Sequence, residues 1–338
     1  MSRGGGQRLP AAAEGHDSGA RWLTALLGPL HDRLLLYVFV AATAGVVLPD
    51  VADRLSRGVP LMLAGQVAGV ALTLTFAQFV SAVRSVRVVA MALTAQWTLV
   101  PLAGIGLGRL APDRSLADGI VILGAVPAEI TSALVALLAA GSGAVAVACM
   151  AGSLAAGTVL TPVWVSVALG SDVSVDRVSL LTELALAVTL PLVAGVALRS
   201  AVPAIARQGA RALDLSAACV VLVVFVSAGQ AHDLVLSRSL PAALALCLAL
   251  QAVAYTVGAA VSAGLRLPAT MRNAVLFPVG MREFGIAAAV AFSVAPRAAG
   301  IAGVYGAVLM TLGPALARVL RVQHPHPRAV TSPTHSAG

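Results

Sequence analysis

Two stretches of this chain place proline, glycine and ionisable residues inside runs that are otherwise apolar: GAVPAEITSALVALLAAG at 124–141 and FPVGMREFGIAAAVAF at 277–292. Proline removes a backbone donor, and its ring clashes with the preceding helical turn. We therefore predict that Pro127, Pro278 and Gly280 break two helices. Within a membrane, the carbonyl and amide groups freed by such breaks are expected to line a polar cavity.

The composition around these stretches indicates a protein surrounded by lipid. Of the 338 residues, 59% are hydrophobic and only 11% are charged, whereas soluble domains are about a quarter charged. Apolar runs of about 20 residues, enough to cross a ~30 Å hydrocarbon layer, recur from Arg33 to Arg321. We predict an all-α polytopic membrane protein, because these runs are too continuous for the alternating strands of a barrel.

Charged and Gly/Pro-marked breaks divide the chain into ten predicted spans, and the two quoted stretches fall in the fourth and the ninth. The spans are 33–49, 59–81, 86–109, 116–139, 143–168, 178–198, 213–233, 238–263, 273–292 and 299–320. The predicted membrane domain is therefore 33–320. It follows a disordered or interfacial N-terminal tail at 1–32 and precedes a cytoplasmic C-terminal tail at 321–338.

The distribution of arginine predicts the orientation. All 22 basic residues are arginines that lie singly or in pairs between the apolar runs, so the net charge of +8 does not indicate nucleic-acid binding. With the N-terminus inside, fourteen arginines fall on the inner side and seven on the outer side. This asymmetry predicts a bacterial inner (plasma) membrane protein with both termini in the cytoplasm. The cysteines lie in apolar runs without metal-ligand spacing, so no metal site is predicted.

The two halves of the chain show faint internal similarity. AGVVL at 44–48 in the first span returns as AGVAL at 194–198 in the sixth, while Gln96 and Gln251 occupy similar places in the third and eighth. Five is an odd number, so two five-span halves have opposite orientations. The sequence therefore predicts an inverted repeat.

Charge inside the fourth and ninth spans calls for a partner or for water. An arginine near the bilayer centre costs roughly 2.5–3.5 kcal/mol on insertion scales. Neighbours on a helix point about 100° apart, so Arg282 and Glu283 cannot easily satisfy each other, and we expect Glu129 to pair with Arg282. Alternatively, these charges only lock helices together and bind nothing, and Gln96 only makes a helix-to-helix hydrogen bond.

Four segments together resemble the bile acid:sodium symporter (SBF-like) family. They are QWTLVP at 96–101, the region 132–162 with Ala-Gly at 140–141 and Thr-Pro at 161–162, PLVAGVALR at 191–199, and VGM at 279–281 followed by GIAAA at 285–289. The resemblance implies two inverted five-helix repeats, a panel domain (33–81 and 178–234) and a core domain (86–168 and 238–320). It also implies that the discontinuous helices 4 and 9 cross, and that substrate binds between panel and core during alternating access.

The chain departs from this family where sodium would bind. The family typically carries Ser-Asn in the fourth span, Ser and Thr in the fifth and E-x-G-x-Q-N in the ninth. Here Ser132 is followed by Ala133, the fifth-span positions are Ala146 and Met150, and the ninth-span segment reads PVGMRE at 278–283.

Gln96, Ser132 and the carbonyls near Val279 and Met281 remain as possible sodium ligands. We therefore expect sodium coupling to be lost or altered, with Arg282 supplying the positive charge. A small organic anion is the expected substrate, and Glu129 or Glu283 is the expected proton carrier. The candidate substrate- and ion-binding residues are Gln96, Glu129, Thr131, Ser132, Val279, Met281, Arg282 and Glu283.

Other functions remain open on the sequence alone. An arsenite or metalloid efflux permease of the same superfamily is the nearest alternative, with Cys149 in the fifth span, although Ala128 follows Pro127 where that branch carries cysteine. An intramembrane enzyme or a receptor is a different class, but the histidines lie in the tails or, as His232 does, at the end of a span, and no HExxH or GxSxG motif occurs. We therefore predict no catalytic residue and no cofactor beyond a possible sodium ion, and the oligomeric state is left open.

Overall fold

The computed structural model describes residues 34–77, 85–170 and 176–323, and all its regular elements are helical. The helices are α1 (Leu34–Val47), α2 (Pro49–Ser56), α3 (Val59–Ala71), α4 (Val86–Gly108), α5 (Arg114–Ala125), α6 (Ser132–Leu138), α7 (Gly143–Leu169), α8 (Arg177–Leu184), α9 (Leu190–Ala201), α10 (Gly209–Gln230), α11 (His232–Leu236), α12 (Leu240–Gly264), α13 (Ala269–Gly280), α14 (Phe284–Val294) and α15 (Ala299–Gln323). A π-helical turn at Ala185–Thr189 joins α8 to α9. The predicted N-terminal tail at 1–32 and nearly all of the predicted C-terminal tail lie outside the described residues.

Six helices within the described residues are long and apolar enough to cross a membrane: α4, α7, α8 with α9, α10, α12 and α15. The predicted first span, 33–49, corresponds to α1, and α2 follows it at a bend of 103° in the region predicted as a loop. Of the predicted second span the structure describes the short helix α3, and the fourth and ninth are interrupted. The chain is thus an all-helical, multi-pass membrane protein, while the count of ten spans stays a prediction.

Local sequence sets several helix starts. Proline occupies the first turn of α2, α3 and α12, where an amide donor has no partner within the helix. Asp113 precedes α5 and accepts a 2.9 Å hydrogen bond from the amide of Leu116, which satisfies one of the unpaired donors of the first turn. These residues therefore favour a helix start at their positions without removing a hydrogen bond from within the helix.

The two predicted helix breaks are present, but one proline is not at its break. Helix α5 ends at Ala125 and Val126 is extended, so Pro127 lies inside the first break. Helix α13 continues through Pro278 to Gly280, and the second break begins at Met281. The prediction that Pro278 breaks the helix is therefore wrong in position: the turn around it stays helical although its ring supplies no amide donor.

The two breaks cross and pair through their backbones. Ala128 and Arg282 form an isolated antiparallel bridge. The Glu129 amide donates to the Met281 carbonyl at 2.9 Å, and the Glu283 amide donates to the Pro127 carbonyl at 2.9 Å. Buried backbone groups outside a helix require such partners, so each break satisfies groups that the other one frees. We call this paired region the crossing.

The helices around the crossing pack in two groups. Helix α10 packs against α1, α2 and α3, and α9 packs against α3. Helix α4 packs against α5 and α12, α12 packs against α13, and α13 packs against α6 and α7. Helix α15 contacts both groups through α10 and α12. The crossing lies inside the second group.

Candidate functional site

The extended backbone at the crossing sorts its side chains onto two faces. Successive side chains of an extended segment point to opposite sides. Ala128 and Arg282 lie opposite each other in the bridge, so their side chains point to the same side. The side chains of Glu129 and Glu283, each one residue further along, point to the other side. We call these sides the arginine face and the carboxylate face. Two residues adjacent in sequence therefore serve separate environments.

Glu283 joins both broken segments on the carboxylate face. It precedes α14, and its Oε1 accepts a 3.3 Å hydrogen bond from the Gly285 amide. Its Oε2 accepts a 3.0 Å bond from the amide of Ile130 in the other break. The side chain is fully buried. An ionised carboxylate at the N-terminus of a helix also interacts favourably with the helix dipole, so Glu283 is a structural cap as well as a buried ionisable group.

Glu129 lies beside Glu283 and is held less completely. Its Oε1 accepts hydrogen bonds from the Thr131 amide at 3.4 Å and the Thr131 hydroxyl at 3.3 Å. Its Oε2 has no hydrogen-bond donor among the described residues. The two carboxyl groups are close enough to interact directly, and both side chains are fully buried. The two breaks thus place two interacting carboxyl groups side by side in the buried interior.

The arginine face holds a buried guanidinium with no hydrogen-bond partner among the described residues. The Arg282 Cζ lies 5.8 Å from the ring centroid of Trp97 on α4, and the Arg282 amide donates to the hydroxyl of Tyr305 on α15 at 3.3 Å. The expectation that Glu129 pairs with Arg282 is therefore wrong. It assumed helical geometry, whereas the extended crossing turns the two side chains to opposite faces.

Two glutamines brace the breaks from neighbouring helices. The Gln96 Nε2 donates to Ser153 Oγ at 2.8 Å, and that same oxygen accepts from the Ala128 amide at 2.9 Å. The Gln251 Nε2 donates to the carbonyl of Gly280 at 2.8 Å, at the end of α13. Each glutamine thus supports the broken helix of its own half of the sequence, as its matched position suggests. Ser153 was missed, and its only sequence signal is a lone hydroxyl in an apolar span.

A cavity of about 270 Å³ lies between the carboxylate face and the first group of helices. Residues of α3, α6, α7, α10 and the first break line it, and among the described residues its polar side chains are Thr73, Thr131 and Ser216. Thr131 is the one predicted site residue that lines the cavity. Arg282 does not line it, so a bound solute in this cavity would have no direct contact with the guanidinium.

The remaining predicted residues are buried without lining the cavity. The Ser132 hydroxyl, at the start of α6, has no partner among the described residues. Val279 and Met281 are fully buried, and the Met281 carbonyl already accepts the Glu129 amide. Gly280 permits a close approach, since a Cβ there would come within 2.1 Å of the Tyr255 ring.

Interrupted helices that cross within a membrane bundle beside a cavity are typical of secondary transporters. Residues 33–310 match the SBF-like CPA transporter family, and the chain belongs to that family. It is also similar to the uncharacterized sodium-dependent transporter YocS of Bacillus subtilis (strain 168), with 26% identity over 259 residues that cover 76% of this chain and 80% of the relative. Family and relative both indicate a membrane transporter rather than an enzyme.

Proposed function

We propose that this chain is a secondary transporter that moves a small organic anion together with a proton by alternating access. The proposal includes ten spans in two inverted five-helix repeats, with a panel (33–81 and 178–234) that moves against a core (86–168 and 238–320). The protein would lie in the bacterial inner membrane with both termini in the cytoplasm. The observation that carries the proposal is the buried carboxyl pair beside the cavity.

Thr131 connects that pair to the solute space. Its side chain lines the cavity, and its hydroxyl lies 3.3 Å from Glu129 Oε1. A hydroxyl both donates and accepts hydrogen bonds. The Thr131 hydroxyl can therefore bind a polar group of a solute on one side and Glu129 on the other. The rest of the lining is largely apolar, which favours a solute with a hydrocarbon body and a single polar head. A monocarboxylate has this form.

The charges at the crossing support coupling of the anion to a proton. The crossing holds one guanidinium and two carboxyls. With one proton shared between the carboxyls, as in other close carboxyl pairs, the crossing is neutral. With a second proton, it carries one positive charge. Opposite charges attract strongly in a medium of low dielectric constant, so the positive crossing favours entry of a monoanion, whereas the neutral crossing supplies no net attraction.

The contacts between the helix groups supply a barrier for alternating access. A Cβ at Gly285, next to the crossing, would lie 2.9 Å from side-chain carbons of Leu63 on α3 and Val223 on α10. The cavity lies towards Val70 on α3, beyond this contact. A second crevice of about 280 Å³, lined by Arg57, Glu183 and Ser293 among others, begins at Val59 on the other side of the contact. Rocking at Gly285 would open one space and close the other.

Transport in proteoliposomes tests the proposal. A panel of radiolabelled short- and medium-chain monocarboxylates is offered under a pH gradient or a sodium gradient, each alone. We expect inward proton flow to accelerate uptake of at least one of them, and Glu129→Gln to abolish that acceleration. Asp50→Asn, which changes an exposed carboxylate on α2, is the matched control and should behave as wild type. Uptake that follows the sodium gradient and ignores the pH gradient would refute the proposal.

The metalloid alternative gains no support from the geometry. A thiol that binds arsenite must be accessible as a thiolate. Cys149 on α7 is fully buried and does not line the cavity. Among the described residues, no group of three or more His, Cys, Asp or Glu side chains is placed to hold a metal ion. Arsenite exchange by this protein would require a different site.

A further inference from the structure

The guanidinium of Arg282 lies in a region that also holds unused oxygen acceptors. It is fully buried, and none of its three nitrogens has a hydrogen-bond partner among the described residues. Gln96, beside Trp97 on α4, has an unpartnered Oε1, and so has Gln251 on α12. Unsatisfied buried polar groups are rare in folded proteins. The arginine nitrogens thus lack acceptors, while two glutamines that support the breaks have amide oxygens without donors.

These acceptors belong to side chains held in place. Gln251 is fixed by its bond to the Gly280 carbonyl, two residues before Arg282, and Gln96 is fixed by Ser153. Because each amide nitrogen is engaged, each amide oxygen is the free end of its side chain. One helical turn after Gln251, the buried hydroxyl of Tyr255 interacts with the Gln251 side chain, and its ring packs against Gly280. Gln96, Gln251 and Tyr255 therefore bring three neutral oxygens to the helices that support the two breaks.

Neutral oxygens in a dry pocket suit a cation. A hard cation needs several oxygen ligands, and a second cation beside a buried guanidinium is repelled without water to screen the charge. Two backbone carbonyls of the break are already engaged, Gly280 by Gln251 and Met281 by Glu129. A sodium ion, which the name of the Bacillus relative implies, therefore does not fit this region while Arg282 is present.

We propose that Arg282 is a built-in cation that makes the core insensitive to sodium, and that Arg282→Gln opens a site for an alkali cation. The introduced amide oxygen would join those of Gln96 and Gln251 and the hydroxyl of Tyr255. Trp97 supports this assignment, since the face of an indole ring stabilises a fixed cation. The inference concerns the ion dependence of the proposed transporter, but it does not depend on which solute is moved.

Thermal unfolding of the purified full chain in detergent, without solute or gradient, tests the inference. Wild-type protein, Arg282→Gln, Arg282→Lys and Arg297→Gln are melted in NaCl, KCl and choline chloride at equal ionic strength. A ligand that binds only the folded state raises Tm in proportion to the logarithm of its concentration. We expect Arg282→Gln to show a rise in Tm that increases with NaCl and is absent in choline chloride.

The other three proteins should melt at the same temperature in all three salts. Arg282→Lys keeps the buried charge, and Arg297→Gln removes an exposed arginine that is not part of the crossing. Sodium-specific stabilisation of wild type, or a folded Arg282→Gln without it, would overturn the inference. If Arg282→Gln folds only when it is purified in NaCl, the inference is supported. If it folds in no salt, equilibrium dialysis of wild type against ²²Na⁺ decides, and bound sodium overturns it. Because no solute is present, failure here is distinct from failure of the transport proposal.

Discussion

Substitution of Gly280 by alanine is a direct test of how tightly the second break is packed. A Cβ at this position would lie 2.1 Å from Cδ1 and 2.4 Å from Cε1 of Tyr255, far inside van der Waals contact. The Tyr255 ring cannot move freely, because it packs edge-on against Phe277 with centroids 6.0 Å apart. Overpacking of this kind costs about 1–3 kcal/mol.

The same displacement disturbs the hydrogen bond between Gln251 and the Gly280 carbonyl, since Tyr255 lies one helical turn from Gln251. Loss of a hydrogen bond adds about 0.5–1.5 kcal/mol. We therefore expect Gly280→Ala to lower the free energy of unfolding by about 1.5–4.5 kcal/mol, from the sum of these two ranges. Denaturant unfolding in detergent, followed by intrinsic fluorescence, measures the change.

Two controls make the reasoning refutable. Gly106 on α4 has nothing within 4 Å of the position of an added Cβ, so Gly106→Ala should be neutral or stabilising by up to about 1 kcal/mol through helix propensity. The double variant Gly280→Ala, Tyr255→Ala should show a favourable coupling energy, because removal of the ring makes room for the methyl group. A Gly280→Ala protein as stable as wild type, or a coupling energy of zero, would show that the contact does not limit packing.

Three further substitutions test the bonds that support the breaks and the helix starts. Ser153→Ala leaves the Ala128 amide and the Gln96 amide without their acceptor, so the free energy of unfolding should fall by about 2–4 kcal/mol, while Ser166→Ala, which loses only a bond within its own helix, should change it by less than about 0.5 kcal/mol. Asn273→Ala removes the 2.6 Å bond to the carbonyl of residue 139, and we expect a loss of about 1–3 kcal/mol together with faster amide exchange at the end of α6. Asp113→Ala removes the cap of α5 and should lower Tm in a thermal melt through a loss of about 1 kcal/mol; an unchanged Tm would mean that the cap is dispensable.

The sequence predicted the membrane class and the two breaks from different signals. Long apolar runs require helices in lipid, and the structure is all-helical over its described residues. Proline and glycine within two of those runs indicated the interruptions. The exact break in the ninth span was misplaced, because the helix continues through Pro278 to Gly280 although the proline ring supplies no amide donor. Sequence records the missing donor but not the surrounding packing.

The pairing of charges was beyond sequence reasoning. The expected contact between Glu129 and Arg282 rested on helical geometry, and nothing in the local pattern shows that residues 281–283 are extended. That conformation depends on pairing with the first break, about 150 residues earlier in the chain, and the pairing determines to which face each side chain points. The bond from Gln96 was foreseen as a helix-to-helix hydrogen bond, whereas Ser153, which accepts it, had no distinguishing pattern.

The backbone bonds at the crossing have a mechanical consequence. Two halves of the sequence, each with its own interrupted helix, are joined at the breaks by a pair of backbone hydrogen bonds, which only proline at position 129 or 283 would remove. Because these bonds join the two breaks, a movement of one break is transmitted to the other. Because the side chains at positions 282 and 283 point to opposite faces of the crossing, a single substitution can change the chemistry of one face and leave the other face unchanged.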